Sequence, residues 1–322
     1  MPTLRSVELQ VAQVLTVLIL APLIRGVIER GKHIVQSKRG PSIFQPYFDY
    51  AKLLRKGSVV SEHASSIFRF APYIAFVTPL IVAMLIPVLT SYPLPYAFMG
   101  DMLGGGFILA LGGFFTSLAA LDSASPYGGM GSSRARVVNF LAEPVVLLVL
   151  FTVASLAHAT IPFVVNQTLV SPPLVASATH WLIVVALLMV IFAEAGRIPV
   201  DNPSSKFELS MIEHSRILEY SGRGLALVEW GGAMKVFVLL VILLNVLATP
   251  WGLLPDGWRA ALVPLSAAAL LLKMLVVCGI IIVVESSMAK WRLFRIPDFL
   301  AAALILAGIA LIFFYLTQGT VS

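Results

Sequence analysis

Eight apolar runs, each about as long as a bilayer is thick, restrict what this 322-residue chain can fold into. A helix needs roughly 20 apolar residues to cross the ~30 Å of hydrocarbon in a membrane. Hydrophobic residues make up 59 % of the sequence, which excludes the ordinary soluble class. The ten-residue segments of alternating polarity that are typical of β-barrels are not visible. We predict an all-α integral membrane protein, one polytopic domain over residues 1–322 with about eight transmembrane helices at 7–24, 70–92, 102–121, 137–158, 177–196, 224–248, 260–286 and 298–317.

The positions of the basic residues predict the orientation of this bundle. Most of the 22 Lys and Arg residues fall in the connections after the first, third, fifth and seventh runs. Only Arg5 and Arg259 fall on the opposite side. Since basic loops stay in the cytoplasm, we expect both termini on the non-cytoplasmic side of a prokaryotic inner membrane. The net charge of +6 is therefore a topology signal, and no nucleic-acid partner is expected.

Cysteine content limits the metal chemistry of the chain. The single cysteine, Cys278, lies inside the seventh run. One thiol cannot form a disulfide framework, a thiolate zinc site or an iron–sulfur cluster. We expect no cofactor in this chain, so any metal centre must belong to a partner.

Two long connections carry the polar residues. In the first, Phe44, Tyr47, Phe48 and Leu54 recur at helical spacing, which predicts an amphipathic surface helix over 41–56. This helix could serve as a connector resting on lipid or as a docking element.

The second long connection, 194–223, is dense in charge. Asn202 before Pro203 is a helix-start signal and predicts a short helix over 203–218. Glu208 and Glu219 would then share one helix face and could line a pocket. The alternative interpretation is a solvated loop held by salt bridges.

Ionisable residues inside the apolar runs predict a polar path. An uncompensated charge at the bilayer centre costs on the order of 3 kcal/mol, so such groups normally face the bundle interior and mark an ion pathway. Helix geometry places the carboxylates nearer the cytoplasmic surface and the lysines near the middle of the membrane. Buried pairs that only fix helix packing are the alternative. The candidate residues are Glu143, Glu194, Glu229, Glu285, Lys235 and Lys273.

Three segments resemble one known family. The stretch "AEAGRIPVDNPSSKFELSMIEHSRILEYSG" resembles the signature loop of the quinone-site membrane subunit of complex I and its hydrogenase relatives, the NADH dehydrogenase subunit 1 family. "SKRGPSIFQPYFDYAKLLRK" is similar to that family's Arg-Gly-Pro element, and "SPYGGMGSSRARVVNFLAEPVVLL" to its glycine-rich loop before a buried Glu. The matching residues expected at the loop and at the interface with the redox arm are Arg197, Asp201, Glu208, Glu219, Tyr220, Arg39, Asp49 and Lys52.

The branch of the family follows from details of the loop. "IPVDNP" with "FELSMIEHSRILEYSG" is closer to membrane-bound [NiFe] hydrogenases of the formate hydrogenlyase or carbon-monoxide-linked type than to complex I. Two departures are Glu213–His214, where His-Glu is expected, and Gly57, where complex I types place Glu.

The resemblance implies a non-catalytic subunit that anchors a hydrogenase and couples its redox step to proton or sodium movement. The implied partners are hydrogenase large and small subunits, an iron–sulfur subunit and antiporter-like membrane subunits. Those partners would carry the iron–sulfur clusters and the NiFe centre. The alternatives are the quinone-site subunit of a complex I type reductase and a self-contained secondary transporter.

Overall fold

The protein is described by a computed structural model over residues 4–92, 94–97, 100–170, 177–201, 211–253 and 263–319. Within these ranges the chain is helical and has no β-strand. The helices are α1 Leu4–Val35, α2 Gln45–Arg55, α3 Ser66–Leu85, α4 Met102–Asp122, α5 Pro126–Ala157, α6 Pro162–Leu169, α7 Ala178–Glu194, α8 Glu213–Ile217, α9 Gly222–Val241, α10 Val263–Ser287 and α11 Ile296–Gly319. A π-helical segment, Ile242–Ala248, extends α9.

By length and composition, seven helices of the described chain could cross a membrane. These are α1, α3, α4, α5, α9 with its π-helical extension, α10 and α11 with the turn before it. The eighth predicted run, 177–196, forms α7, an apolar helix of 17 residues. Seventeen residues is the short end of the range for a spanning helix. The prediction of an all-α membrane protein is confirmed, while the bounds of the separate spans remain predictions.

Small residues bring the central helices close together. α9 packs on α3 at Gly231, where a Cβ atom would lie 2.4 Å from the carbonyl oxygen of Ala75. α4 packs on α3 at Gly112, where a Cβ atom would lie 2.6 Å from Thr78 Oγ1. Close approach through small residues is how helices associate in lipid, since lipid tails are as apolar as the side chains. These contacts hold α9, which carries two of the predicted ionisable residues, in the centre of the bundle.

The predicted surface helix forms α2, within the expected range 41–56. Phe44 and Phe48 remain exposed, whereas Tyr50 is buried and stacks on Trp230 of α9. Tyr47 donates a hydrogen bond to the carbonyl of Ile19 in α1. α2 is therefore fixed to α1 and α9 by its tyrosines.

The predicted helix over 203–218 is wrong as a continuous element. Residues 202–210, including Glu208, lie outside the described residues. Beyond them Met211 and Ile212 are not helical, and α8 begins at Glu213. The reason is a cap from further back in the chain. The carboxylate of Asp201 accepts hydrogen bonds from the backbone N–H groups of Ile212 and Glu213, at 3.0 and 3.1 Å, which fixes the start of the helix there.

Candidate functional site

Glu194 and Glu229, two of the four carboxylates predicted to mark the path, line a cavity beneath the charged loop. This cavity, here called the loop cavity, has a volume of about 170 Å³ and lies among α1, the end of α7, the loop, α8 and α9. Its charged lining residues are Arg25, Glu29, Glu194, Arg197, Asp201, Glu213 and Glu229. A cavity of this size and polarity can hold several waters.

Glu285 of α10 holds two cations next to this cavity. Its side chain is fully buried, and its carboxylate lies 3.2 Å from Lys32 of α1 and 3.2 Å from Arg197 of the loop. Those two side chains are only 10 % and 11 % exposed. A buried carboxylate shared by two cations ties the loop, α1 and α10 together, because none of the three charges is hydrated on its own.

Asp201 fixes the loop to the segment between α10 and α11. Besides capping α8, its carboxylate lies 2.8 Å from the ammonium of Lys290. Trp291 donates a backbone hydrogen bond of 3.0 Å to the carbonyl of Pro199. The base of the charged loop, residues 197–201, is therefore held by contacts on both sides.

Glu229 lies at the opposite wall of the loop cavity. Arg25 of α1 lies 3.2 Å from its carboxylate and also donates to the hydroxyl of Tyr50, at 3.0 Å. Burial raises the pKa of Tyr50, so this residue remains a neutral hydroxyl between the cation and the helix. Glu29 completes the group, 3.4 Å from Arg25.

Glu194 joins the loop cavity to two smaller ones. Its carboxylate lies 2.6 Å from Lys235 of α9. A cavity of about 90 Å³ is lined by Glu194, Lys235 and Glu213, and one of about 50 Å³ by Glu194, Lys235 and Glu143. Each is large enough for at least one water. Three separate cavities therefore share Glu194 in their lining, and the smallest of them also borders Glu143 on α5.

The side of the 90 Å³ cavity near α4 is closed by Arg216 of α8. This buried guanidinium pairs with Glu213 and donates to Ser117 of α4 at 3.2 Å. Ser132 and Ser215 add hydrogen bonds among α4, α5 and α8. α8, although only five residues long, is therefore anchored against the core.

Not every predicted residue lies at this site. Glu219 is exposed in the turn after α8, whereas Glu208, with which it was predicted to share a helix face, lies outside the described residues. Tyr220 is buried and stacks on Phe68, donating to its backbone carbonyl at 3.0 Å. Three predicted interface residues are exposed on or before α2: Arg39, Asp49 and Lys52.

Lys273 is also separate from the carboxylates. Its ammonium donates to Asn245 and to the carbonyls of Thr249 and Trp251, at the far end of α9 from the loop. Among the described residues Lys235 contacts a carboxylate and Lys273 does not, so the place of Lys273 on the predicted path remains a prediction.

Three residues of the site on α1 were not predicted. Arg25, Glu29 and Lys32 belong to a helix that continues to Val35, whereas the first apolar run ends at residue 24. Their spacing of four and then three places them on one helix face, and this is the signal that could have identified them.

A comparison with known proteins shows the family of this chain. The family model described as NADH dehydrogenase matches residues 9–316 of the chain. The chain belongs to the NADH dehydrogenase family. The resemblance inferred from the sequence is thereby confirmed.

Curated relatives of this NADH dehydrogenase family member include two hydrogenase components of Escherichia coli (strain K12). Formate hydrogenlyase subunit 4 is 31 % identical over 289 residues, which are 89 % of this chain and 92 % of the relative. Hydrogenase-4 component C is 32 % identical over 305 residues, 94 % of each chain. A subunit of the NADH-quinone oxidoreductase from Neorickettsia sennetsu is 26 % identical over 272 residues, 79 % of this chain and 77 % of the relative.

A solved structure shares the fold. A chain in the structure of the membrane-bound sulfane sulfur reductase, an archaeal respiratory membrane complex, superposes with a TM-score of 0.75. The match covers 96 % of this chain and 98 % of the other at 22 % identity. At 22 % identity, this similarity shows that the two chains share a fold.

Proposed function

We propose that this chain is the membrane subunit of an energy-converting [NiFe] hydrogenase complex, and that its buried charges couple the redox step to proton or sodium movement. Its two Escherichia coli relatives, each matched over most of both chains, are named as hydrogenase components. The redox centres belong to the hydrophilic partners, because the single cysteine, Cys278, is buried in α10 and cannot supply a set of thiolate ligands.

The coupling proposal rests on one observation, which is that three cavities share Glu194 in their lining. The loop cavity opens beside the segment that faces the hydrophilic arm in this proposal. From there Glu194, Lys235 and Glu143 lead into the bundle, with the first two only 2.6 Å apart. A carboxylate and an ammonium at that distance stabilise each other's charge, so a proton added at one end changes the charge balance at the next. The antiporter-like subunits would take up this change on the side of Glu143.

The volume of the loop cavity, as the described residues line it, disfavours a quinone at that place. Pockets that bury a small organic ligand usually enclose about 300–1,000 Å³. The loop cavity has about 170 Å³ and a charged lining, which suits water and protons better than a quinone ring. The self-contained transporter is disfavoured too, since the named relatives are components of larger complexes.

Purification from the native membrane tests the assignment to a hydrogenase. We expect an affinity tag on this chain to retain large and small hydrogenase subunits, with nickel and iron in the eluate and hydrogen turnover that follows the tagged protein. A matched purification from untagged membranes is the control. Recovery of the chain alone, or with a quinone reductase that contains no nickel, would contradict the proposal.

The proposed orientation has its own test. We expect Ser58→Cys, in the exposed connection after α2, to react with a membrane-impermeant maleimide only from the cytoplasmic face. Tyr92→Cys, in the exposed connection after α3, should react only from the other face. The native Cys278 is buried, which keeps the background low. Reaction of both variants from the same face would rule out the orientation.

A further inference from the structure

The end of α9 that lies far from the charged loop packs beside α10. The π-helical extension of α9 stops at Ala248, and the chain then continues without helical structure to residue 253. Gly252 in this segment packs against Ala269 and Lys273 of α10. Those residues lie six and ten positions after the start of α10, so the segment sits roughly 9–15 Å along that helix.

The last carbonyls of a helix have no partner within the helix and need other hydrogen-bond donors. In hydrocarbon, each unsatisfied carbonyl costs several kcal/mol, so irregular backbone persists only where protein groups or water satisfy it. Asn166 of α6 donates to the carbonyl of Pro250, at 3.4 Å, and Asn245 donates to the carbonyls of Pro87 and Val88, at 3.0 and 2.9 Å. At the end of α3, Gln13 of α1 donates hydrogen bonds to the carbonyls of Ala83 and Ile86. Amide side chains thus satisfy two adjacent helix ends.

Lys273 supplies the only positive charge among these groups in the described chain. Its ammonium donates 3.1 Å to Asn245 Oδ1 and 2.7 Å to the carbonyl of Thr249, and it also donates to the carbonyl of Trp251. Within the described residues no carboxylate lies within ion-pair distance of it. Asp256 lies outside those residues. The ammonium therefore sits in a group of neutral oxygens at the negative end of a helix dipole.

We propose that Lys273 is a built-in monovalent cation, held in an oxygen cage formed by Asn245, Thr249 and Trp251. Carbonyl oxygens at broken helix ends are the groups that coordinate alkali cations in membrane proteins. Here the ammonium is tethered by its own side chain and pins α10 to the end of α9. Its task is to fix the bundle at the end opposite the loop. This inference goes beyond the proposed function and separates Lys273 from the path through Glu194.

Chemical rescue of a truncated side chain tests the cage. In the purified complex, we expect Lys273→Ala to lower the melting temperature by roughly 3 °C or more. Ethylammonium chloride should restore most of this loss, because its ammonium can enter the vacated cage and donate to the same oxygens. Tetramethylammonium chloride at equal ionic strength should not, since it has no N–H group. Leu272→Ala, at a neighbouring exposed position, should show no response to either salt.

Two further variants keep the test decisive if the alanine variant does not assemble. Lys273→Arg keeps the charge and should assemble, whereas Lys273→Met keeps the length without the charge and should reduce the yield of complex. Asp256→Asn should melt like the wild type. Each of four results would overturn the proposal. The first two are a wild-type melting temperature for Lys273→Ala and a loss of melting temperature that ethylammonium does not restore. The other two are equal yields of the Arg and Met variants and a loss of melting temperature in Asp256→Asn as large as that of Lys273→Ala.

Discussion

Replacement of Glu285 by glutamine is expected to destabilise the complex more than any other single change at the site. The substitution conserves volume and removes a carboxylate that lies 3.2 Å from both Lys32 and Arg197. Two cations would remain in a space where the Glu285 side chain is fully buried. Breaking a buried ion pair by removing one partner costs about 3–5 kcal/mol. We expect a strongly lowered melting temperature or a failure of the complex to assemble.

Glu29 provides the matched control for this prediction. It pairs with Arg25 at 3.4 Å, but its side chain is 37 % exposed, and exposed pairs contribute about 0–1 kcal/mol. Thermal melting of the two glutamine variants, prepared in the same detergent, compares a buried with a solvated carboxylate. If Glu285→Gln melts no lower than Glu29→Gln, the three-way ion pair does not hold the loop to α1 and α10.

Much of the fold could be predicted because membrane helices are encoded locally. An apolar run such as 102–121 must satisfy its backbone within itself, so its helix is visible without knowledge of any neighbour. α4, Met102–Asp122, matches that run closely. The start of α8 could not be predicted in this way. It depends on Asp201, which caps Ile212 from eleven residues away in the sequence.

The sequence predicts the single residues of the candidate site, but it does not predict which of them contact each other. Glu194 and Lys235 each stand out as charges in apolar runs, yet their contact joins residues 41 positions apart. Lys273 stood out for the same reason, and its depth alone suggested a place on the path. The predicted run 224–248 ends at the break after Ala248, but the apolar pattern does not show that the following residues stay beside α10 and supply the actual partners of Lys273. A charged residue inside an apolar run thus predicts that the residue has a role, and the residues that pack against it decide which role that is.

Loss of Glu194 should have the largest effect on ion movement. Glu194→Gln keeps the volume but removes the charge that holds Lys235 at 2.6 Å and that borders all three cavities. Losing a general acid–base group typically lowers a rate by on the order of 100-fold, and we expect a fall of this order in ion translocation. The complex should still assemble, because an amide at this position can still accept a hydrogen bond from Lys235. Glu62→Gln, exposed in the connection before α3, is the control and should behave as wild type.

The central claim is that the charges from the loop cavity to Glu143 couple gas turnover to an ion gradient. Reconstitution of the intact complex into vesicles, with hydrogen turnover and the initial rate of gradient formation recorded together, tests it most directly. For Glu194→Gln and for Glu143→Gln, which removes the last titratable group of the series, we predict a collapse of gradient formation with the complex still assembled. Wild-type rates of both hydrogen turnover and gradient formation in these two variants would contradict the claim.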